Sequence, residues 1–505
     1  MLAACRAAVA DDPPRISEIE LRIGDVFTTE EAAAAFFPYR LANLIHIETR
    51  QSFIRRYLLF KVGDPVDLEL FAQTERNLRA TSLFRFVTIR SEGTRVIVET
   101  GDAWTLLLRG SVSRKAGIVE WQAGVQEYNL LGLGRDVRFL YDSGAERISR
   151  SFSFADRDFL VPYGNLRLAY SDLSDGRASE LRFHRPFYAL EALWQGGVSY
   201  RQARFEPTVW AGGVEAATWQ EFARYARAEA GKRIRFDGAS ALRALASVDY
   251  SDVILSAGTL GPPPPDGQPP RRFLFFSGGL EHDARHWIER RDAEKIGRVE
   301  DFNLAPVGRF EVGLSPAVSG GTAAGRLAVR GGMGTELGTG FALASLAGET
   351  RYEDGPRNAL ISLDTRAFLQ RSRLTLVGRI GVVAGWRLDP EVQIQLDGES
   401  GVRAYQLHAV SGTGRAVANV ELRLFFFYDV LKLVSFGAAV FGDAGVSWGD
   451  PDGWWRLADV GVGLRFGLTR ASENALLRLD VARALHPDPL GRTGWLLTFG
   501  SSQAF

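Results

Sequence analysis

Cysteine is nearly missing from this chain of 505 residues: Cys5 is the only one, so no disulfide can form within it. Long apolar runs are missing as well. No stretch reaches the ~18 apolar residues that a membrane-crossing helix needs, which excludes that kind of span. A mean hydropathy of −0.07 leaves a membrane barrel open, because there only alternate residues face lipid. Lysine is scarce (Lys61, Lys115, Lys232, Lys295 and Lys432), so arginine carries almost all the positive charge, which we read as genome composition. Lys+Arg and Asp+Glu balance at 60 each, and nothing in the bulk electrostatics suggests nucleic acid. The usual signatures of catalysis are absent: no G-x-S-x-G, no P-loop and no dinucleotide fingerprint. His282 and His286 lie beside Glu281, but in the order EHDARH, not HExxH, and read as solvated strand residues. No enzyme, cofactor or metal site is expected.

What the chain has is alternation. Glycine is abundant, at 54 residues, which suits short strands, tight turns and closely packed faces. From Ala416 to Phe427, Val420, Leu422, Leu424 and Phe426 alternate with Asn419, Glu421 and Arg423, the period of a strand with one apolar and one polar face. From Ser435 to Ser447 the period repeats, with Phe436, Ala438 and Val440 on one face and Ala439, Phe441 and Asp443 on the other. The hairpin so formed carries Glu421, Arg423 and Asp443 on its inner face. A glycine-interrupted loop precedes it, from Leu396 to about Arg415.

The same pattern fills residues 102–505, Asp102 to Gly117 forming the lead-in. Phe139 opposes Arg138, Leu376 and Ile380 oppose Arg379, Val460, Val462, Leu464 and Phe466 oppose Asp459 and Arg465, and Leu479 opposes Arg478 and Asp480. About 400 residues of strand and turn without a helical spacer, charges on one face and aromatics near strand ends, are marks of a transmembrane β-barrel with a polar lumen. Gly261 to Pro270 (GPPPPDGQPP) must be an exposed loop, since proline cannot donate ladder hydrogen bonds. Glu215 to Lys232 fits a loop helix or a long strand. Roughly nineteen strands can be counted, with the excess over an even, smaller number placed between Ala189 and Val318, where strands look split.

Residues 15–101 read as a compact α/β module in the order β-α-α-β-β. A strand near Ile16 to Ile23 comes first, and Ala32 to Tyr39 follows as a short helix or loop. Helices are expected over Glu48 to Phe60 and from the Asp67 cap to Arg79. Phe84 to Ile89 and Arg95 to Glu99 then form a hairpin about Glu92-Gly93. Residues 1–14 are a residual export-signal-like segment. Ala8-Val9-Ala10 fits a signal cleavage site and Leu2 to Cys5 a lipoprotein box, and a chance Ala-rich terminus fits as well. The natural start is expected upstream, or trimmed away.

Several of these stretches resemble the Omp85 superfamily of outer-membrane barrels, which includes barrel-assembly and two-partner-secretion translocators. Val402-Arg403-Ala404-Tyr405 is similar to the family's V-R-G-[FY] loop tip, with Ala404 in the Gly place. Phe441-Gly442-Asp443-Ala444-Gly445 resembles its F-x-D-x-G strand, Glu421-Leu422-Arg423 its intervening strand, and Asn129 to Gly134 (NLLGLG) its first hairpin. Residues 15–101, with "IRRYLLFKVGDPVD" and "ERNLRATSLFRFVTI", resemble a single POTRA domain. Thr498, Gly500 and Phe505 match the C-terminal signal read by barrel-assembly machinery, with Gln503 departing from it.

The resemblance implies a mostly-β fold: a 16-stranded antiparallel barrel behind a small periplasmic α/β domain, with five strands after the loop. It also implies that the loop folds into the lumen and that Arg403 pairs with Asp443. The function implied is assembly or translocation of a client polypeptide, an unfolded outer-membrane or secreted protein, in a bilayer bearing lipopolysaccharide. A passive channel with a periplasmic appendage is the alternative.

Overall fold

The computed structural model describes residues 14–28, 30, 43–44, 46–115, 118–144, 146–265, 270–318, 321–471 and 476–500. The export-like segment with Cys5, the Ala32–Tyr39 stretch, Gln503 and Phe505 lie outside these. The chain divides into two units, Met1–Thr105 with Asn129–Gly134, and the rest.

In the first unit β1 (Glu18–Gly24) is followed by α1 (Gln51–Tyr57), α2 (Leu68–Ala80), β2 (Phe84–Glu92) and β3 (Arg95–Asp102). Asp67 starts α2 because its carboxylate accepts the otherwise orphaned N–H groups of Glu69 (2.9 Å) and Leu70 (3.3 Å). The hairpin turns at Gly93, whose φ of 64° is open to glycine at little cost. β3 lies between β1, which it joins in parallel, and β2, which it joins antiparallel, so β1 and β2 are the two edges. Ile54, Phe71 and Leu78 of the helices and Val96, Ile97 and Val98 of the central strand are all buried. The Asn129–Gly134 turn belongs to this unit: Asn129 donates to Thr49 Oγ1 (2.8 Å), and the Arg50 N–H donates to Gly132 O (2.9 Å). A Cβ on Gly134 would strike the Phe53 ring at 2.3 Å, which accounts for the last glycine of NLLGLG.

The second unit is one closed antiparallel ring, from Leu106–Lys115 to Trp495–Gly500, whose first and last strands pair. Among the described residues it contains twenty strands, with Thr208–Ala211 as a short continuation of Trp194–Phe205 interrupted at Glu206-Pro207. The expected sixteen is therefore corrected to twenty. Five strands follow the 387–413 loop, as expected; fifteen precede it. Between Ala189 and Val318, where strands looked split or surplus, Thr208–Ala211 is indeed split from Trp194–Phe205, and Trp287–Arg291 with Val299–Asn303 lie outside the ring, while Val214–Phe236, Ser240–Ala257, Arg271–Ala284 and Val307–Ser315 are ring strands. Motifs after the loop do not constrain how many hairpins are inserted before it. Glu215 to Lys232 resolves as strand, inside Val214–Phe236, paired from Trp219 to Phe236 with Ser240–Ala257.

Alternation orients every strand. In Gly414–Val430 the even residues Val420, Leu422 and Leu424 face outward, exposed, while Asn419, Glu421, Arg423 and Phe425 are buried inside. In Val434–Trp448, Val440 is 60% exposed and Asp443 3%. The outer surface is thus a band of Leu, Val, Ile and Phe. Trp386, Trp454 and Trp495 mark one end of it, and Trp194, Phe427 and Tyr428 the other. No described helix is long and apolar enough to cross a membrane. An apolar outer band with aromatic rims over a charged lumen is the construction of a membrane-spanning barrel, in which closure leaves no unpaired strand edge in lipid.

Strand direction sorts the connections to two ends. One end, called near here, carries the start of the ring at Leu106 and its last residue, Gly500. The 387–413 loop belongs to the far end. The 285–306 connection belongs to the near end.

Candidate functional site in the barrel lumen

A ring of twenty strands is too wide for its own side chains to fill, since barrels of 16–18 strands already leave an aqueous channel. The 387–413 loop occupies part of that space. Its turn is built locally: the Asp397 carboxylate accepts the N–H groups of Glu399 (3.1 Å), Ser400 (2.9 Å) and His408 (2.9 Å), closing the segment on itself. Leu396, Val402 and Tyr405 are buried against Val417 and Leu457 of the wall. The wall makes room. A Cβ on Gly445 would meet Leu396 at 2.6 Å and Val402 at 3.2 Å, so the glycine of F-x-D-x-G lets the loop lie on the strand. Ala404 is not among the residues of positive φ; Gly401 (123°) and His408 (58°) take the turns, so alanine fits at the tip.

Arg403 reaches carboxylates of the same two wall strands, Gly414–Val430 and Val434–Trp448. Its Nε and Nη2 donate to the two Asp443 oxygens, at 2.7 and 3.0 Å, a bidentate pair, and Nη1 donates to Glu421 at 2.5 Å. The guanidinium carbon lies 3.4 Å from the centre of the Phe441 ring, a cation–π contact. Burial alone would lower the Arg403 pKa, but the adjoining Asp443 and Glu421 carboxylates outweigh it and hold it above the usual arginine value. Tyr405 sits with its hydroxyl 2.9 Å from the carbonyl oxygens of Ala458 and His486.

Around this pair lies a network that sequence reasoning had only in part. The second Glu421 oxygen accepts Arg423 Nε at 2.8 Å and Arg465 Nη2 at 3.0 Å. Asp480 accepts Arg465 at 2.5 Å and Arg478 at 2.9 Å. Asn419 donates to Asp443 at 2.8 Å and to Gly401 O at 2.7 Å, tying loop to wall, and the Ala404 N–H donates to Asp459 at 3.2 Å. Four guanidinium groups (Arg403, Arg423, Arg465, Arg478) thus share this part of the lumen with four carboxyl groups (Glu421, Asp443, Asp459, Asp480). Gly463 leaves the space: a Cβ there would lie 1.9 Å from Asp480 Oδ1.

The structure brings together Val402, Arg403, Ala404, Tyr405, Glu421, Arg423, Phe441, Asp443 and Gly445. Thr498 and Gly500 lie on the last strand at the edge of this network, opposite Asp480 and Arg478 in register and away from the Arg403 tip. Asn419, Asp459, Arg465 and Asp480 were not singled out from the sequence. Alternation placed all four on the polar face, but only register across successive strands shows which of them meet.

Fold and site together define a membrane-spanning β-barrel of outer-membrane type, its lumen occupied by a loop held on a buried ion network. No family model matches the chain, and no curated protein does. Among solved structures it is similar to BamA from Haemophilus ducreyi lacking POTRA domains 1–3, at 12% identity and TM-score 0.43, over 96% of this chain and 84% of that one. It is also similar to CdiB from Acinetobacter baumannii (14%, TM-score 0.48, 97% and 73%) and to CdiB from Escherichia coli (13%, 0.48, 97% and 75%).

Proposed function

We propose that this chain is an outer-membrane assembly or translocation factor of Omp85 type, in which the residue 15–101 module receives a client polypeptide and the barrel inserts or exports it. The observation that carries the reading is the Arg403 tip seated on Asp443 and Glu421 inside the lumen. A passive pore gains nothing from a loop that folds into its own channel and is held there by a buried ion pair. The module adds a second support: among the described residues β1 and β2 are the outer strands of its sheet, and an extended chain can join such an edge by main-chain hydrogen bonds. Under this reading the near end faces the periplasm and the partners are the client, the bilayer with its lipopolysaccharide and the assembly machinery that reads the C-terminus.

The test uses photo-crosslinking residues placed along β1 and β2 in the full chain, in cells. An unfolded outer-membrane or secreted polypeptide should be captured at one edge, and deletion of residues 15–101 should leave a folded barrel without client activity. Client handling untouched by that deletion would support the passive channel instead.

A further inference from the structure

The 285–306 connection fills a second part of the lumen, from the near end. It leaves the strand Arg271–Ala284, forms a hairpin of Trp287–Arg291 with Val299–Asn303, and returns to Val307–Ser315. Neither hairpin strand joins the ring.

The hairpin reaches far from its root. Ile288, Phe302 and Leu304 bury against Phe341, Phe368 and Val377, on three successive wall strands, with the Phe302 and Phe341 ring centres 4.5 Å apart. Ile296, at the tip, is fully buried against Phe425 and Leu476. Polar contacts follow the same course. Thr375 Oγ1 donates to Asp292 O (3.1 Å), Gln370 to Arg291 O (2.6 Å), and Arg298 to the carbonyls of Thr469 (3.1 Å) and Ala471 (2.6 Å). Arg366 pairs with Glu294 at 2.5 Å. The segment therefore lies along the inner face of the wall over successive strands, as far as the strand Leu476–Ala484.

Its tip is built to hold one shape. Asp292, at φ 60°, accepts the Gly297 N–H at 2.7 Å, and the Glu300 carboxylate gathers the N–H groups of Ala293, Glu294 and Lys295 at 3.1–3.2 Å. The tip also meets the ion network: Arg423 Nη1 donates to Ala293 O at 2.6 Å, while its Nε is on Glu421, the same carboxylate that holds Arg403.

We propose that residues 285–306 are a plug that closes the near end of the lumen and swings out as a unit to open it, latched through Arg423 to the network that seats the Arg403 loop. Among the described residues the hairpin strands form no ladder with the ring; they meet it through side chains, and the root through isolated backbone bonds, Gly334 N–H to Leu304 O (3.0 Å) and Arg285 N–H to Ala239 O (3.1 Å). The hairpin can therefore leave without unzipping the barrel, whereas ring strands cannot. This rests on the membrane-spanning reading of the barrel and is independent of the client.

The experiment is conductance of the full chain in planar bilayers. A Phe302→Cys/Phe341→Cys variant, in a Cys5→Ser background, allows the plug to be locked by oxidation and freed by reduction in one sample. Replacing residues 287–303 by a short Gly-Ser linker removes it. The locked protein should show only small, steady conductance; reduction should restore large transient openings, and the linker variant should conduct several-fold more than wild type throughout. Equal conductance of locked and reduced protein, with the linker variant no leakier than wild type, would overturn the plug. Should the linker variant fail to fold, the redox comparison decides alone. Failure to co-float with liposomes would instead sink the membrane reading, and client assembly on the same variants separates the plug from the translocation proposal.

Discussion

At the scale of single residues, Glu421 is the hinge of the site. It is fully buried and accepts from Arg403, Arg423 and Arg465, so one carboxylate serves three cations. Removing one partner of a buried pair leaves a poorly solvated charge, at a cost of about 3–5 kcal/mol. Arg403→Ala and Asp443→Ala should therefore each destabilise the seated loop by that order and raise conductance, and the double variant should be little worse than either, because one contact is lost in both. Glu421→Gln should cost more than Asp443→Asn, since it uncouples three guanidinium groups at once. Denaturation midpoints with bilayer conductance read both. Additive effects of the Arg403 and Asp443 substitutions would refute the pairing, and equal effects of the two amides would refute the shared role of Glu421.

At the scale of elements, the plug tip carries its own pH dependence. Burial pushes the Glu300 carboxyl up to about 7, against the lowering pull of the Lys295 and Glu294 N–H groups, with the Glu294 charge raising it and Lys295 lowering it. A carboxyl with a raised folded value binds its proton more tightly in the folded tip than in the released one. Its contribution is then complete below about pH 4.5 and is lost as pH rises through about 7, by roughly 3 kcal/mol at most. Hydrogen exchange of the 292–298 turn should accelerate across that window, and Glu300→Gln should flatten the profile. An exchange rate that slows as pH rises from 5 to 7, after correction for intrinsic chemistry, would show the sign to be wrong.

At the scale of the whole molecule, the outer band of exposed Val, Leu and Phe needs lipid or detergent. The purified chain should be β-rich, should migrate differently when heated and unheated, and should aggregate when detergent is withdrawn. A chain that stayed monodisperse in plain buffer would not be a membrane barrel. Closure also explains why stability should be lost in one step: a ring whose first and last strands pair has no strand that can fray from a free edge.

What the sequence determined by itself is local. Period-2 alternation decides which side of a strand faces inward, so Glu421, Arg423 and Asp443 could be placed on one face before any partner was known. Asp67 and Gly93 announce a cap and a turn by their own chemistry. Tertiary structure decided everything that depends on chain closure. How many strands enter the ring is a sum over hairpins that no single motif constrains, and four hairpin strands more than sixteen pass unnoticed when each looks like its neighbours. Which charges meet depends on register accumulated across strands; Arg465 and Asp480 had the right parity but no visible address. The plug was the least legible part, because 285–306 alternates like a wall strand pair. Only the position of Phe341, Phe368 and Phe425 on the inside of a ring too wide to fill itself turns that hairpin inward.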